Sequence, residues 1–414
     1  MQNTEKGVDI KGILQPKRVI THFQPIVSIK KNSVIGFEAL SRGLVEGGDA
    51  LIPPRRLFEA AEKQGLAMEL DSVCRAKAFE SYGAMGNDPD RFILTVNLDP
   101  STLREESSGS KHLLALAESV NLQPEKVLIE IIESRIGDIT ELEKLVSLYR
   151  GYGFLIAFDD MGTGLSNLDR VAVIKPDIVK IDTSLVQDSE KMYHSREIVK
   201  SLVSLAHRIG SLVIAEGVET GEQAVNALEL GVDMLQGHYF AGPAPAGEDL
   251  TKGIAERMES VAANFKQRTV QRINDKKFRH RSYNRIINNL ISELSRIPEE
   301  EYDTALRSLI KPHSELECVY ILDEDGIQLS DTIFSVNGGG SKGFFFQPGS
   351  KGTDQSSKDY FFLLSAGLPK YTTAPYISLA SRNVCITVSV AYRDADFRKR
   401  ILCMDIIQDN GISG

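Results

Sequence analysis

The sequence predicts an α/β chain built on a (β/α)8 barrel, and three observations carry that prediction. Short, almost continuously apolar runs, the pattern of strands buried on both faces, recur between residues 23 and 242. Longer stretches with helical apolar spacing separate them. The strand-like runs also end, again and again, on an acid, an amide or a lysine: Glu38, Asn97, Glu130, Asp159, Asp160, Lys180 and Glu216. Chemistry in a β/α barrel gathers at the carboxyl ends of its strands, so these residues read as the rim of one mouth. Carboxylates crowded together repel one another unless cations neutralise them, which points to bound metal.

The strand-like runs are residues 23–27, 34–39, 92–97, 127–131, 154–158, 178–181 and 212–215, with helical stretches at 57–67, 113–120, 141–149, 198–209 and 224–230. A βα rhythm sustained this long favours a closed barrel over a large open sheet. After Pro243 and Pro245, residues 254–296 read as one long helix or two helices with a break. Their apolar stripe runs through Ile254, Met258, Val261 and Phe265 and resumes at Ile286, Ile287, Leu290, Ile291 and Leu294. The lysine- and arginine-rich middle, 266–285, reads as a solvated face that links two domains or pairs two subunits, because no nucleic-acid recognition motif accompanies the charge. Residues 318–322, 327–333, 376–380, 384–390 and 401–407 then predict an antiparallel sheet of about five strands. Asp323-Glu324-Asp325-Gly326 is its turn signal, too short for a calcium-binding EF-hand, and 338–340 and 349–357 read as loops. The expected division is an N-terminal extension at 1–19, a barrel at 20–248, a helical linker at 249–300 and a small α+β domain at 301–414.

Composition narrows the function classes. The chain has 414 residues and a net charge of -9, with a pI near 5.5, which argues against a nucleic-acid coat with a broad cationic surface. It contains no apolar run of about eighteen residues, and residues 1–20 lack the core of a secretion signal, so a soluble, cytoplasmic protein without membrane contact is expected. Cys74, Cys318, Cys385 and Cys403 form no close pair and read as reduced core thiols.

Taken in order, Glu38-Ala39-Leu40-Ser41-Arg42, Asn97, Glu130-Ile131-Ile132-Glu133, Asp159-Asp160, Lys180-Ile181-Asp182, Glu216-Gly217-Val218-Glu219 and Gln236-Gly237 resemble the EAL domain of bacterial cyclic di-GMP phosphodiesterases over residues 20–245. The resemblance implies a modified TIM-like (β/α)8 barrel that hydrolyses cyclic di-GMP to linear pGpG with two divalent ions, Mg2+ or Mn2+, and is inhibited by Ca2+. It also implies a homodimer. Carried over by motif, Glu38, Asn97, Glu130 and Asp159 hold one ion, and Asp159 and Asp160 serve the second. Lys180, Glu216 and Gln236 become the catalytic set around the nucleophilic water. Gln24, Leu40, Arg42, Asp182 and Glu219 fall to the substrate, and Glu133 tethers the loop after the fifth strand. A lysine among carboxylates keeps its proton, so orienting the water and stabilising charge suit Lys180 better than acting as a free-amine base.

That loop reads Asp159-Asp160-Met161-Gly162-Thr163-Gly164-Leu165-Ser166-Asn167. Met161 stands where the family usually has phenylalanine, Leu165 where an aromatic residue is frequent, and Asn167 where a second serine is usual. Two readings follow: a metal-dependent phosphodiesterase, weakened by the altered loop, or a receptor that binds cyclic di-GMP with little or no turnover. Further on, Val319-Tyr320-Ile321-Leu322, Lys358-Asp359-Tyr360-Phe361 and Pro375-Tyr376-Ile377-Ser378 resemble the PAS/Cache-like regulatory domains attached to EAL domains. This second resemblance implies regulation by a small-molecule ligand or a protein partner.

Overall fold

Strands with period-two side chains close the first part of the chain into a barrel. The structure, a computed structural model, describes residues 8–14, 18–45, 50–86, 91–98, 110–132, 139–161, 168–335, 348–378 and 381–408. The chain divides into two units, residues 1–270 and 271–413. The strands of the first unit are β1 (Val19–Ser28), β2 (Ser33–Leu44), β3 (Leu51–Ile52), β4 (Ile93–Leu98), β5 (Val127–Ile132), β6 (Leu155–Met161), β7 (Ile178–Ile181), β8 (Leu212–Ala215), β9 (Met234–Gln236) and β10 (Ala244–Pro245). From β2 through β4 to β9 the barrel neighbours are parallel. β1 closes the circle by pairing antiparallel with both β2 and β9. This reversed strand makes the eight-stranded barrel a departure from the all-parallel arrangement, and β3 and β10 are short additions outside the ring.

The pleat sorts residues into layers inside the ring. Ile26, Leu128, Ala157, Ile178, Ile214 and Met234, one from each of six strands, form an apolar plug with Ile35, Ile93 and Leu155 against it. Two positions nearer the mouth stand Gln24, Glu130, Asp159, Lys180 and Gln236 on the same strands, and Glu216 just past the end of β8. On β1 the step runs backwards in sequence because that strand is antiparallel. Since i and i+2 face the same side of a strand, the plug fixes the direction in which the polar layer points.

Around the ring lie α1 (Ile10–Ile13), α2 (Pro54–Gln64), α3 (Ala67–Ala84), α4 (Ser110–Ser119), α5 (Ile139–Gly151), α6 (Leu168–Ile174), α7 (Thr183–Asp188), α8 (Tyr193–Arg208) and α9 (Gly221–Glu229). Helix α3 and strand β9 are absent from the sequence-based reading. The buried face of α3 carries Asp71 and Arg75 beside Leu70, Cys74, Ala78 and Phe79, which breaks the apolar stripe, and β9 has only 3 residues. α9 begins with a capping box in which the Thr220 hydroxyl and the Gln223 side chain each satisfy the other's backbone N–H.

Residues 254–294 form one unbroken helix, α10 (Ile254–Leu294). Ile254, Met258 and Val261 join the core of the first unit, while Ile286, Ile287, Leu290 and Leu294 join that of the second. Between these stretches, residues 271–281 are exposed. The second unit adds α11 (Tyr302–Ile310), α12 (Asp359–Ser365) and strands β11 (Leu316–Leu322), β12 (Ile333–Phe334), β13 (Lys370–Thr372), β14 (Tyr376–Ile377), β15 (Val384–Arg393) and β16 (Lys399–Ile407). They make an antiparallel sheet in the order β12-β11-β16-β15-β13, with β14 beside β15.

One face of that sheet packs Val319, Ile321, Val388, Leu402 and Met404 on the end of α10 and on α11. The stretch expected as a strand at 327–333 pairs only at isolated bridges until Ile333. Before it, the Asp323 carboxylate accepts from the N–H groups of Asp325 and Ile327, and Gly326 takes the positive φ that the turn requires. Residues 349–357 lie outside the named helices and strands, as expected of a loop, and 338–340 lie outside the described residues. Cys318, Cys385 and Cys403 are buried free thiols on β11, β15 and β16. Among the described residues no helix is long and apolar enough to cross a membrane.

Gly36 tests the closure of the ring. A Cβ there would lie 2.3 Å from the Ile93 carbonyl oxygen on the adjoining strand β4, and backbone in a parallel ladder cannot move aside cheaply. Gly36→Ala is expected to lower the unfolding free energy by about 1–3 kcal/mol in chemical denaturation, as overpacking does.

Candidate active site at the barrel mouth

Lys180, 1% exposed, is the centre of the polar layer. Its ammonium lies 3.2 Å from Glu38 Oε2, 2.6 Å from Glu130 Oε1, 3.6 Å from Asp159 Oδ1 and 2.5 Å from Glu216 Oε1. β7 is buried along its whole length, so its one polar side chain must find its partners inside the barrel. Glu38, opposite Gln24 in the β1–β2 ladder, accepts from Asn97 Nδ2 at 3.4 Å and from Gln236 Nε2 at 2.5 Å. The same Gln236 amide donates to Gln24 Oε1 at 3.2 Å, and the Gln24 amide donates to the Ala241 carbonyl. Glu38, Asn97, Glu130, Asp159, Lys180, Glu216, Gln236 and Gln24 therefore form one connected group drawn from seven barrel strands and the residue that follows β8.

Electrostatics inside the group are set by burial against charge. Burial alone would favour the neutral amine of Lys180, but Asp159, Glu130, Glu216 and Glu38 together outweigh it and hold its pKa well above the usual lysine value. Glu130 is pushed well above the ordinary carboxyl range by burial and then by the charge on Glu38. Glu216 is pushed up to about 8, chiefly by burial. Glu38 goes the other way: burial works to raise its pKa, but Lys180 and the hydrogen bond from Gln236 prevail and lower it.

Other expected site residues lie apart from this group. Asp182 caps α7, its Oδ1 accepting from the Ser184 N–H at 2.8 Å. Glu219 is exposed, and its backbone N–H donates to Gln223 Oε1. Leu40 and Arg42 are half-buried on β2, and burial lowers the Arg42 pKa while the charge of Glu38 opposes that shift. Glu133 and residues 162–167 lie outside the described residues, as does the side chain of Asp160. Met161 is buried at the end of β6, in register with Ile181.

A cavity of about 340 Å³ opens beside the carboxylates. Glu38, Leu40 and Asn97 line it on one side, and Phe58, Asp71 and Arg75 on the other. Asp71 and Arg75, one helical turn apart on α3, form a buried ion pair. Neither was among the expected site residues; a buried acid and arginine at i, i+4 on an otherwise apolar helix face is the signal that could have found them. Cys74, also in the wall, is an unreactive thiol, since burial pushes its pKa up to about 12.

Residues 9–243 match the EAL domain family. The chain belongs to that family. It is 24% identical over 348 residues to the EAL-domain containing protein YkuI of Bacillus subtilis, covering 83% of each chain. A solved structure of YkuI with cyclic di-GMP and calcium superposes with a TM-score of 0.80 at 22% identity, over 97% of this chain and 100% of that one, a likeness of fold. The cyclic di-GMP phosphodiesterase RocR of Pseudomonas aeruginosa is 30% identical over 226 residues, 54% of this chain and 57% of RocR. A manganese and cyclic di-GMP complex of Klebsiella pneumoniae BlrP1 aligns with a TM-score of 0.50 at 29% identity, covering 57% of this chain and 62% of that one.

Among the described residues no three acids, histidines or cysteines are grouped as a formed metal site, but the chemistry of the donor set fits the calcium and manganese named in the YkuI and BlrP1 complexes. Every candidate donor is a carboxylate or amide oxygen, the set that suits hard cations, and Glu130, buried at 0% exposure, has an Oε2 with no hydrogen-bond partner among the described residues.

Two outcomes follow. Asp71→Ala strands the Arg75 guanidinium without its buried partner and is expected to cost about 3–5 kcal/mol of stability in denaturant titration. Glu216 holds its proton up to about pH 8 in the folded, metal-free chain and releases it near the ordinary carboxyl value of 4.5 when unfolded, so its contribution to stability falls as pH rises between those values. The metal-free Tm of Glu216→Gln is therefore expected to drop less than that of the parent across this window, as followed by circular dichroism.

Proposed function

We propose that the barrel hydrolyses cyclic di-GMP to linear pGpG with divalent metal. The observation that carries this reading is the buried layer in which Glu38, Glu130, Asp159 and Glu216 surround Lys180 at the mouth of an EAL-family barrel. The names of RocR and of the cyclic di-GMP complexes of YkuI and BlrP1 support it.

Glu38, Asn97, Glu130 and Asp159 would hold one ion, and Asp159 with Asp160 the second. When bound, magnesium or manganese supplies Lewis-acid polarisation of the phosphodiester. The chain's own residues do the rest. Lys180, kept protonated by its carboxylate neighbours, orients a water toward phosphorus and stabilises the charge that develops there. Glu216 fixes the ammonium on one side, and Gln236 holds Glu38 in place through their hydrogen bond. Water oxygen bonds to phosphorus and gives up one proton, the bond from phosphorus to one ribose oxygen breaks, and that oxygen takes up a proton as it leaves, so no net proton is gained or lost in the step. Arg42 contacts phosphate.

The cavity lined by Leu40, Phe58, Asp71 and Arg75 takes one guanine, its apolar walls covering the ring faces and its polar side chains meeting the base edge. Asp182, as a helix cap, acts through placement of α7 unless substrate draws it away. The second unit is a PAS/Cache-like regulatory domain in this reading.

A second reading, a receptor with little turnover, is favoured by Met161, the buried methionine that opens the departing loop. Time-resolved hydrolysis decides between them. The full chain with Mn2+ is expected to form pGpG, to stop when chelator is added, and to lose at least about 100-fold in rate as Glu38→Ala. Tight cyclic di-GMP binding without pGpG would establish the receptor.

A further inference from the structure

Lys180 does more in this arrangement than face a water. Its ammonium lies within 4 Å of four carboxylates, and these same ion pairs occupy it completely in the metal-free chain. We propose that the Lys180 ammonium is a resident counter-cation of the carboxylate layer, which a divalent ion must displace, so that this one side chain sets how tightly the barrel binds metal. The inference rests on the metal-dependent reading above and adds to it a role opposite in sign to catalysis.

Three observations support it. First, the oxygens of Glu38, Glu130 and Asp159 that would hold an ion are those that contact Nζ, at 3.2, 2.6 and 3.6 Å. An ion coordinated at about 2.0–2.2 Å by the same oxygens needs the space that the ammonium takes, and would be repelled by it at such short range. Second, four acids converge on one lysine, so the layer offers a divalent ion more carboxyl oxygens than the single ammonium can serve. Glu130 Oε2, buried and without a hydrogen-bond partner among the described residues, lies on a carboxyl group whose other oxygen is 2.6 Å from the ammonium. Third, the ammonium already lies 2.5 Å from Glu216 Oε1, its shortest contact, and its flexible four-carbon stem lets it keep that partner while giving up the other three without moving strand β7.

The consequence is a division of labour between two states of one residue. Without metal, Lys180 holds the carboxylates together. With metal, it is released toward the substrate side, where a charged donor is useful. Removing its charge should therefore strengthen metal binding and weaken the metal-free fold, although the same substitution removes a group needed for turnover.

The test uses the full chain at pH 8, with Lys180→Met and Lys180→Arg, and reads metal binding rather than hydrolysis. Free Mn2+ is followed by electron paramagnetic resonance during titration, and Tm is measured with chelator and with Mn2+. Lys180→Met is expected to bind Mn2+ at least about tenfold more tightly than the parent, to melt lower in chelator and to gain more in Tm from Mn2+. Lys180→Arg, which keeps the charge, is expected to bind Mn2+ no more tightly than the parent.

Mn2+ affinity in Lys180→Met that is equal to or weaker than the parent's overturns the proposal, as does an equal gain in Lys180→Arg or an unchanged metal-free Tm in Lys180→Met. Should Lys180→Met fold only with metal, it is prepared with Mn2+ and its release rate into chelator is compared with the parent's: slower release supports the proposal and equal or faster release overturns it. A parent chain that binds no Mn2+ overturns the metal-dependent function together with the inference, whereas a parent that binds and a variant that does not gain overturns the inference alone.

Discussion

Concentrated negative charge inside a closed barrel is the constraint on which the rest of the first unit depends. Four carboxylates removed from water cannot all stay ionised without cations, because burial penalises each charge and each raises its neighbours' pKa. The chain answers with one buried lysine and with amides from Gln236 and Asn97. Lys180 is held by all four acids at once, on a strand buried along its whole length.

The barrel places those charges through the pleat and the plug. Gln24, Glu130, Asp159, Lys180, Glu216 and Gln236 each sit two positions from an apolar side chain that fills the interior, so the core that stabilises the barrel also aims most of the chemistry. The reversed strand β1 takes part on equal terms: Gln24 is reached by stepping back from Ile26, and lands opposite Glu38 and within reach of Gln236. A parallel strand there would run Gln24 toward the other end of the plug.

The second unit solves a different problem. Its sheet packs an apolar face on α10 and α11, while the opposite face carries acids and thiols in hydrogen-bonded sets: Glu317 accepts from Ser378, Ser381 and Cys385, and Asp405 from Thr387. Burial raises the Asp405 pKa even so. The long helix carries one apolar stripe, buried among the first unit's core residues at its start and the second unit's at its end, and interrupted by a charged, exposed middle. Continuous backbone hydrogen bonding carries it through that middle, where no apolar contact is needed to define a helix already nucleated at both ends.

The sequence by itself determined the βα alternation, the strand-end residues and, through the order of their motifs, the family. These are local properties: period-two and period-3.6 patterning, and acids that close apolar runs, are visible wherever they occur. It also determined that one long helix follows, though not that it is unbroken. Only the tertiary structure decided that β1 runs antiparallel, that the three residues of β9 complete the ring, and that Asp71 and Arg75 face the cavity beside Glu38. Strand direction and ring closure are long-range pairings, and a short strand gains its stability from neighbours distant in sequence. The same holds for Lys180: the sequence placed it at a strand end, but its sharing among Glu38, Glu130, Asp159 and Glu216 exists only once four other strands have brought those acids within 4 Å of its ammonium.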